Sequence, residues 1–478
     1  MAKTGIWSKP GDKILPGVYS KIESIVNSYG DGLIGTIGVP VKANWGPIGE
    51  VVTLENNINK LIDMFGNDTE EKYSAFKIGA LLTKTNLKYI KFYRLADESA
   101  KQSTINLQNT NESAVEVIKL TSKYATSKDL NVTIKNSLVN TSSNEMYVYE
   151  GSKLLAKITG IKGTCDEMVD VINNAHDNKY LIASKIAETS DPLAPISNKK
   201  LAGGNDGCTS VNNEMYIKSL DQFERTQIDG FVLDGKEDES LDASVFDWIK
   251  KNYESGRIIS YFSGIGKSED ISSAFTKAKK INNKLYTLVA SAGVLDDIQY
   301  TPSETAAYLC GVEISNKLRE SSCNKKVIFT DVKKVFTTEE LEEAQKVGVL
   351  TLDIDDGDVV IVDDVNTYKT YSENNKKDSV FGFNRSIRTL KAINTMLVSA
   401  GKQIIGKVDN DPEFGYDIVI SLFKRGFEAL IADGAIKEFE VEIDKELQAV
   451  AENDEIYIRW YVTRSDKVKK IYSKGTIR

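Results

Sequence analysis

The chain has 478 residues, 41% of them hydrophobic and 27% charged, and a net charge of −8. That is enough apolar material for several cores and two to four domains, and an acidic balance without a long Lys/Arg run argues against a nucleic-acid binder. No run of eighteen apolar residues is present, so no apolar membrane-spanning helix is expected, and "MAKTGIWSKPGDK" has no secretory apolar region.

Residues 14–28, "ILPGVYSKIESIVNS", open with a Pro-Gly turn. Val18, Ser20, Ile22, Ser24 and Val26 then alternate with Tyr19, Lys21, Glu23 and Ile25. The period predicts a strand with neither face strongly apolar. Such a terminal strand needs an edge to join, in its own subunit or in a neighbour. "LIGTIGV" (33–39) reads as a buried strand. Trp45-Gly46-Pro47 follows and contains nothing nucleophilic or metal-binding. Pro47 fixes φ, Gly46 permits a close or left-handed turn, and Trp45 offers a large packing surface, so the tripeptide reads as a rigid corner. A helix is predicted next, with Leu54 near its start, Ile58, Leu61, Ile62 and Phe65 on one face, and Gly66 at its end. A second helix is expected around 72–85 and a strand over 88–96.

A polar linker at 97–113 opens a region of short alternating segments, with a turn at Glu150-Gly151-Ser152. We read a small β domain over 97–190, then a second linker at 191–209. Beyond it "IDGFVLDG", "RIISYFSG" and "KLYTLVASAG" read as strands. "LDASVFDWIKKNYESG", "SEDISSAFTKAKKINN", "TPSETAAYLCGVEISNKLRESS" and "TTEELEEAQKVG" read as helices. The alternation predicts an α/β region with a mostly parallel sheet, closing near 350. A hairpin turning at Asp356-Gly357 occupies 350–367. Helices are expected at about 380–400 and 412–432, then strands to the end. In the last of these Ile456, Ile458, Trp460 and Val462 point one way, and Tyr457, Arg459, Tyr461 and Thr463 the other.

Tests for chemistry fail one after another. His176 is the one histidine, which excludes a multi-His metal site; it is expected at a polar helix end. Residues 200–350 contain no histidine, so no Ser-His-Asp triad lies wholly within them. "FSGIGKS" (262–268) ends like a phosphate loop at Gly266-Lys267-Ser268, but Tyr261 stands where that loop requires Gly. "GGNDG" (203–207) precedes no strand-to-helix turn and reads as a linker turn. "DIDDGD", counted from Asp353, places Asp358 and Asp364 where a calcium loop requires Gly and Glu. Asp296-Asp297 has no recognisable partner base. The four cysteines, Cys165, Cys208, Cys310 and Cys323, form no C-x-x-C and are expected as free buried thiols. No catalytic residue, cofactor or metal is predicted.

Several pieces nonetheless stand in a specific order: "LPGVY" (15–19), "VPVKANWGPIGEV" (39–51), the "FG" helix end (65–66), "LAGGNDG" (201–207), "TPSETAAYLCGV" (301–312), "GVLTL" (348–352), "NRSIRTLKAI" (384–393) and the terminal strands. Together they resemble contractile tail sheath proteins of myophage-type tails, prophage-derived tails and R-type bacteriocins of Gram-positive bacteria. The resemblance spans essentially the whole chain.

The resemblance implies an α/β and β multidomain fold. Its α+β core domain is discontinuous, built from the N- and C-terminal parts. A β-sandwich domain and a subtilisin-like α/β domain without a triad are inserted into it. The corresponding boundaries are an arm strand at 1–28, core at 29–96, sandwich at 97–190, α/β domain at 200–349, core again at 350–450 and arm strands at 451–478. Subunits of this kind form stacked hexameric rings around an inner tube protein, with baseplate and tail terminator proteins at the ends, and contract to drive the tube through a target envelope. Val18, Tyr19, Ile22, Ile456, Ile458, Trp460 and Val462 are then expected in strand exchange between subunits. Trp45, Gly46 and Pro47 form a core-domain corner, either facing the tube or buried without a partner. No nucleic acid and no membrane insertion are implied, and assembly belongs in the bacterial cytoplasm with release by lysis. The rivals are a non-contractile structural or adhesion protein and an α/β hydrolase or nucleotide-binding enzyme.

Overall fold

The computed structural model describes residues 3–5, 17–19, 35–111, 114–138, 143–371, 379–433, 436–463 and 467–474. Ile22 lies outside the described residues.

A seven-stranded sheet organises the fold, running Val349–Leu350, Tyr286–Val289, Ser260–Gly264, Gly230–Val232, Thr36–Lys42, Tyr89–Leu95 and Val51–Glu55 from edge to edge. Every neighbouring pair is parallel except the last. Helices cover both faces, so the central strands are buried on both sides and read as apolar runs. Ile37, Val39 and Val41 are fully buried.

One sheet runs through both the N-terminal segment and the α/β region. Ile37 pairs with Gly230, and Gly38 with Phe231. The segment 29–96 therefore supplies three strands to the same sheet as the α/β region instead of standing in a core apart from it. The physical reason is mutual need: Thr36–Lys42 is the outer strand of the three-stranded piece, and its buried Ile37, Val39 and Val41 need the cover that pairing with Gly230–Val232 gives that edge. Leu54 is also placed differently. It belongs to strand Val51–Glu55, opposite Ile90, and the helix starts beyond it at Ile58, capped by the Asn57 side chain.

On one face lies helix Pro302–Ser315, started by the reciprocal cap of Thr301 and Glu304 with Pro at the first turn. It is buried nearly all round because it lies between the sheet and helix Ala75–Leu82. Gly264 permits this approach: a Cβ there would stand 2.2 Å from the Ser303 nitrogen. Helices Asn213–Glu224, Glu239–Glu254, Ile271–Ile281 and Thr338–Val347 share the second core, with Phe223, Phe231, Trp248, Tyr261 and Tyr286 at its centre. The Asp242 carboxylate accepts both buried phenols there, from Tyr261 at 2.7 Å and Tyr286 at 2.6 Å.

Residues 104–200 contribute a four-stranded and a three-stranded sheet, whose inward side chains share one apolar core with helix Cys165–Asn173. The hairpin forms as the sequence predicts, with Asp355 opposite Asp358 and both Asp356 and Gly357 at positive φ.

Helix Asn384–Ile404 ties the C-terminal part to the rest. Ile387 and Leu390 belong to the second core of the central sheet, and Ile393, Leu397 and Ala400 to the C-terminal core. Arg388 anchors the junction, donating to the buried Glu313 carboxylate and, at 2.6 Å, to the Glu320 carbonyl. Helix Gly415–Ala432 and the antiparallel pair Glu438–Ile443 and Ile458–Thr463 complete that core. Phe427 stacks on Phe439 at 5.2 Å and tilts against Trp460 at 5.7 Å. At the N-terminus, Lys3–Gly5 pairs in parallel with Gly17–Tyr19, which lies beside helix Asn384–Ile404.

Candidate functional site: a buried junction and open edges

The residues singled out for chemistry do not converge. The His176 side chain is fully exposed and touches only Asp177. The Lys267 backbone N–H donates to Glu237 at 2.8 Å, which ties that loop to the segment before helix Glu239–Glu254. Among the described residues no group of three or more His, Cys, Asp and Glu side chains is arranged to hold a metal ion.

Trp45-Gly46-Pro47 has a structural explanation. Trp45 is 4% exposed and sits in the core of the β region, edge-on to Tyr124 at 5.2 Å and tilted to Tyr180 at 5.9 Å. Gly46 has φ +103°, and a Cβ there would meet the Met64 carbonyl at 2.7 Å. Pro47 is half-buried. The tripeptide therefore joins the central sheet to the β region. The indole packs inward, against the β region of its own chain.

The corner is clamped by Arg94, a residue the sequence reading passed over. Its guanidinium is fully buried and donates to the carbonyls of Gly46 (2.7 Å), Ala125 (2.9 Å) and Asp206 (3.0 Å). A signal was present: Arg94 is in phase with Ile90 and Phe92, the inward residues of its strand. Asp206, from the "GGNDG" turn, gathers the same junction. It accepts from Tyr73 at 2.9 Å, Lys72 at 3.2 Å, the Cys208 N–H at 2.8 Å and the Ser127 hydroxyl. Burial alone would raise its pKa, but the bonds from Ser127, Cys208, Tyr73 and Lys72 hold it well below the usual carboxylate range. A depressed carboxylate contributes stability above its unfolded pKa of about 3.9 and loses it as pH falls toward the folded value. Wild type should therefore exceed Asp206→Asn in thermal midpoint at pH 5, with the gap closing below about pH 4. A constant gap measured from pH 5 to 3 would refute this account.

The other feature is what the C-terminal part leaves open. Ile458–Thr463 pairs with its own chain's Glu438–Ile443, with Trp460 opposite Val441 and Val462 opposite Phe439. Ile456, Ile458, Trp460 and Val462 pack on the core beneath. Within its own chain the strand's apolar face packs against helix Gly415–Ala432. Among the described residues no third strand joins the pair, so each strand keeps one outer edge of unpaired backbone groups. Val18 and Tyr19 lie in the N-terminal pair and not on this sheet. Nearby, Phe414 is 73% and Ile418 48% exposed, and with Leu422 and Arg425 they line one shallow surface groove.

A covered parallel sheet, a two-sheet β region and a two-stranded C-terminal sheet are the parts of this fold. Residues 209–367 match the central domain of the phage tail sheath protein family, and residues 376–478 match its C-terminal domain. The chain belongs to the phage tail sheath family and is a contractile tail sheath protein. YqbK, an uncharacterized protein of Bacillus subtilis (strain 168), is 20% identical, aligned over 98% of each chain. The sheath tail protein of Desulfitobacterium hafniense superposes with a TM-score of 0.71 at 20% identity, over 96% of this chain and 99% of that one. The helical sheath of the anti-feeding prophage in its contracted state gives 0.55 at 9% identity, over 97% and 99%. The family is a structural one, a component of phage tails and tail-like particles.

Proposed function

We propose that this chain polymerises as stacked hexameric rings around an inner tube and contracts to drive that tube through a target cell envelope. One observation carries the reading: a fold shared along its length with sheath proteins ends in a two-stranded sheet that no third strand joins among the described residues. Strand addition to the outer edges of that sheet pairs further backbone groups. In this reading the segment with Val18, Tyr19 and Ile22 is a donor to a neighbouring subunit. The sheet carrying Ile458, Trp460 and Val462 is the acceptor, and the groove lined by the exposed Phe414 and Ile418 faces another chain of the particle. The chain acts through its interfaces and not as an enzyme. Baseplate and terminator proteins close the ends of the polymer, which assembles in the bacterial cytoplasm and leaves by lysis.

The extended polymer is metastable in this proposal, with contraction downhill but kinetically blocked. A bias of a few kcal/mol per subunit, an ordinary scale for two-state transitions, becomes large when summed over many rings. The test is electron microscopy of the purified protein, alone and with its candidate tube protein. Stacked-ring cylinders in two diameters are expected. Dispersed monomers under both conditions would overturn the reading, and cylinders of a single unchanging diameter would overturn contraction.

A further inference from the structure

Within the described C-terminal residues 467–474, the hydrogen-bonded hold on the folded body comes from Lys469. Its ammonium donates to Asp364 Oδ1 at 2.9 Å and also to Asp363 Oδ1. The Asp364 side chain is 1% exposed, and its other oxygen has no hydrogen-bond partner. Phe383 forms the wall of this socket, with Lys469 Nζ 4.1 Å and Lys369 Nζ 4.3 Å from its ring centroid. A carboxylate so enclosed is costly unless a cation pairs with it. Arg388 is nearby but engages Glu313, and Lys369, pushed down to about 8 chiefly by burial, lies against the aromatic ring. Lys469 is the cation that reaches both carboxylates.

The other described tail residues are exposed. Val468, Ile471 and Tyr472 are 79%, 86% and 89% exposed. Lys467 and Val468 share an open groove with Arg319, Glu320, Cys323 and Asn324. A lysine-rich segment held at one charged point, with Ile471 and Tyr472 bare among its lysines, has side chains free for a second partner.

We propose that the Asp363–Asp364 socket parks the subunit's own C-terminal tail: Lys469 holds the tail on the free subunit, and the tail leaves the socket before Ile471 and Tyr472 engage a second copy of this chain. Its second half rests on the sheath reading; the parking itself does not. The latch delays assembly and keeps Ile471 and Tyr472 from engaging other subunits out of order.

The test uses the full chain carrying Val468→Cys, which places a second thiol in the groove beside native Cys323, while Cys165, Cys208 and Cys310 are buried. A short bis-maleimide should join the two thiols within one subunit of the unassembled protein. Adding Lys469→Ala should lower that yield about tenfold, the scale of one charge-assisted hydrogen bond, and Lys469→Arg should restore most of it. The cross-linked protein should not polymerise, and Lys469→Ala alone should polymerise with a shorter lag. A yield indifferent to Lys469, cross-links mainly between subunits, or undiminished polymerisation of the cross-linked protein would overturn the proposal. If no variant polymerises, wild type included, while the yields still follow Lys469, the sheath reading fails and the parking stands.

Discussion

Arg94→Met should lower the stability of the chain by about 3–5 kcal/mol, the range for breaking a buried charged network. The substitution keeps most of the volume and removes the charge. It leaves the buried carbonyls of Gly46 and Asp206 and the half-buried carbonyl of Ala125 without this donor, and each buried acceptor left unsatisfied costs about 1–3 kcal/mol. It also strips a cation from beside Asp206, whose carboxylate is almost completely buried. The effect is measured as the shift in urea midpoint followed by tryptophan fluorescence, since Trp45 lies at the affected junction. A chain of several cores need not unfold in one step, so the midpoint of each transition is compared, not one global free energy. The first transition should shift most, because Arg94 joins the central sheet to the β region and stabilises their contact. A shift worth under about 1 kcal/mol, the scale of an ordinary surface change, would show that the junction is held by Trp45 packing instead.

Deletion of residues 1–28 should abolish ordered polymer while leaving a folded, soluble subunit. Among the described residues these contribute only the pair Lys3–Gly5 and Gly17–Tyr19, and none of the seven central strands or the C-terminal pair depends on them. Thermal stability should therefore change little. Assembly, in contrast, loses the donor strand proposed for the outer edge of the C-terminal sheet, and loss of one link per subunit is repeated at every subunit of the polymer. Sedimentation and electron microscopy of the deletion beside the full chain read out the two effects separately. Normal cylinders from the deletion would remove strand exchange by the N-terminal segment from the proposal, without touching the family assignment. Loss of the folded monomer would show that Gly17–Tyr19 stabilises helix Asn384–Ile404 within its own subunit.

What could be read in the sequence was whatever local chemistry dictates. The "TPSE" start with its reciprocal cap, the Asp356-Gly357 hairpin and the period-two face of Ile458, Trp460 and Val462 each follow from a few neighbouring residues. So does the absence of a triad from residues 200–350, because one histidine in the chain settles it. The order of motifs along the chain was enough to indicate the family. Tertiary structure decided the rest. Which strand borders Gly230–Val232 depends on which apolar edge is available in space, and Thr36–Lys42 lies almost two hundred positions away in the chain. Arg94 and Asp206 become a junction only when three distant segments converge on them. Trp45 could face a partner or a core equally well by its chemistry, and the bend at Gly46 turned it inward. Burial and strand pairing are properties of the assembled surfaces, and a single chain of side chains carries them only as possibilities until the surfaces meet.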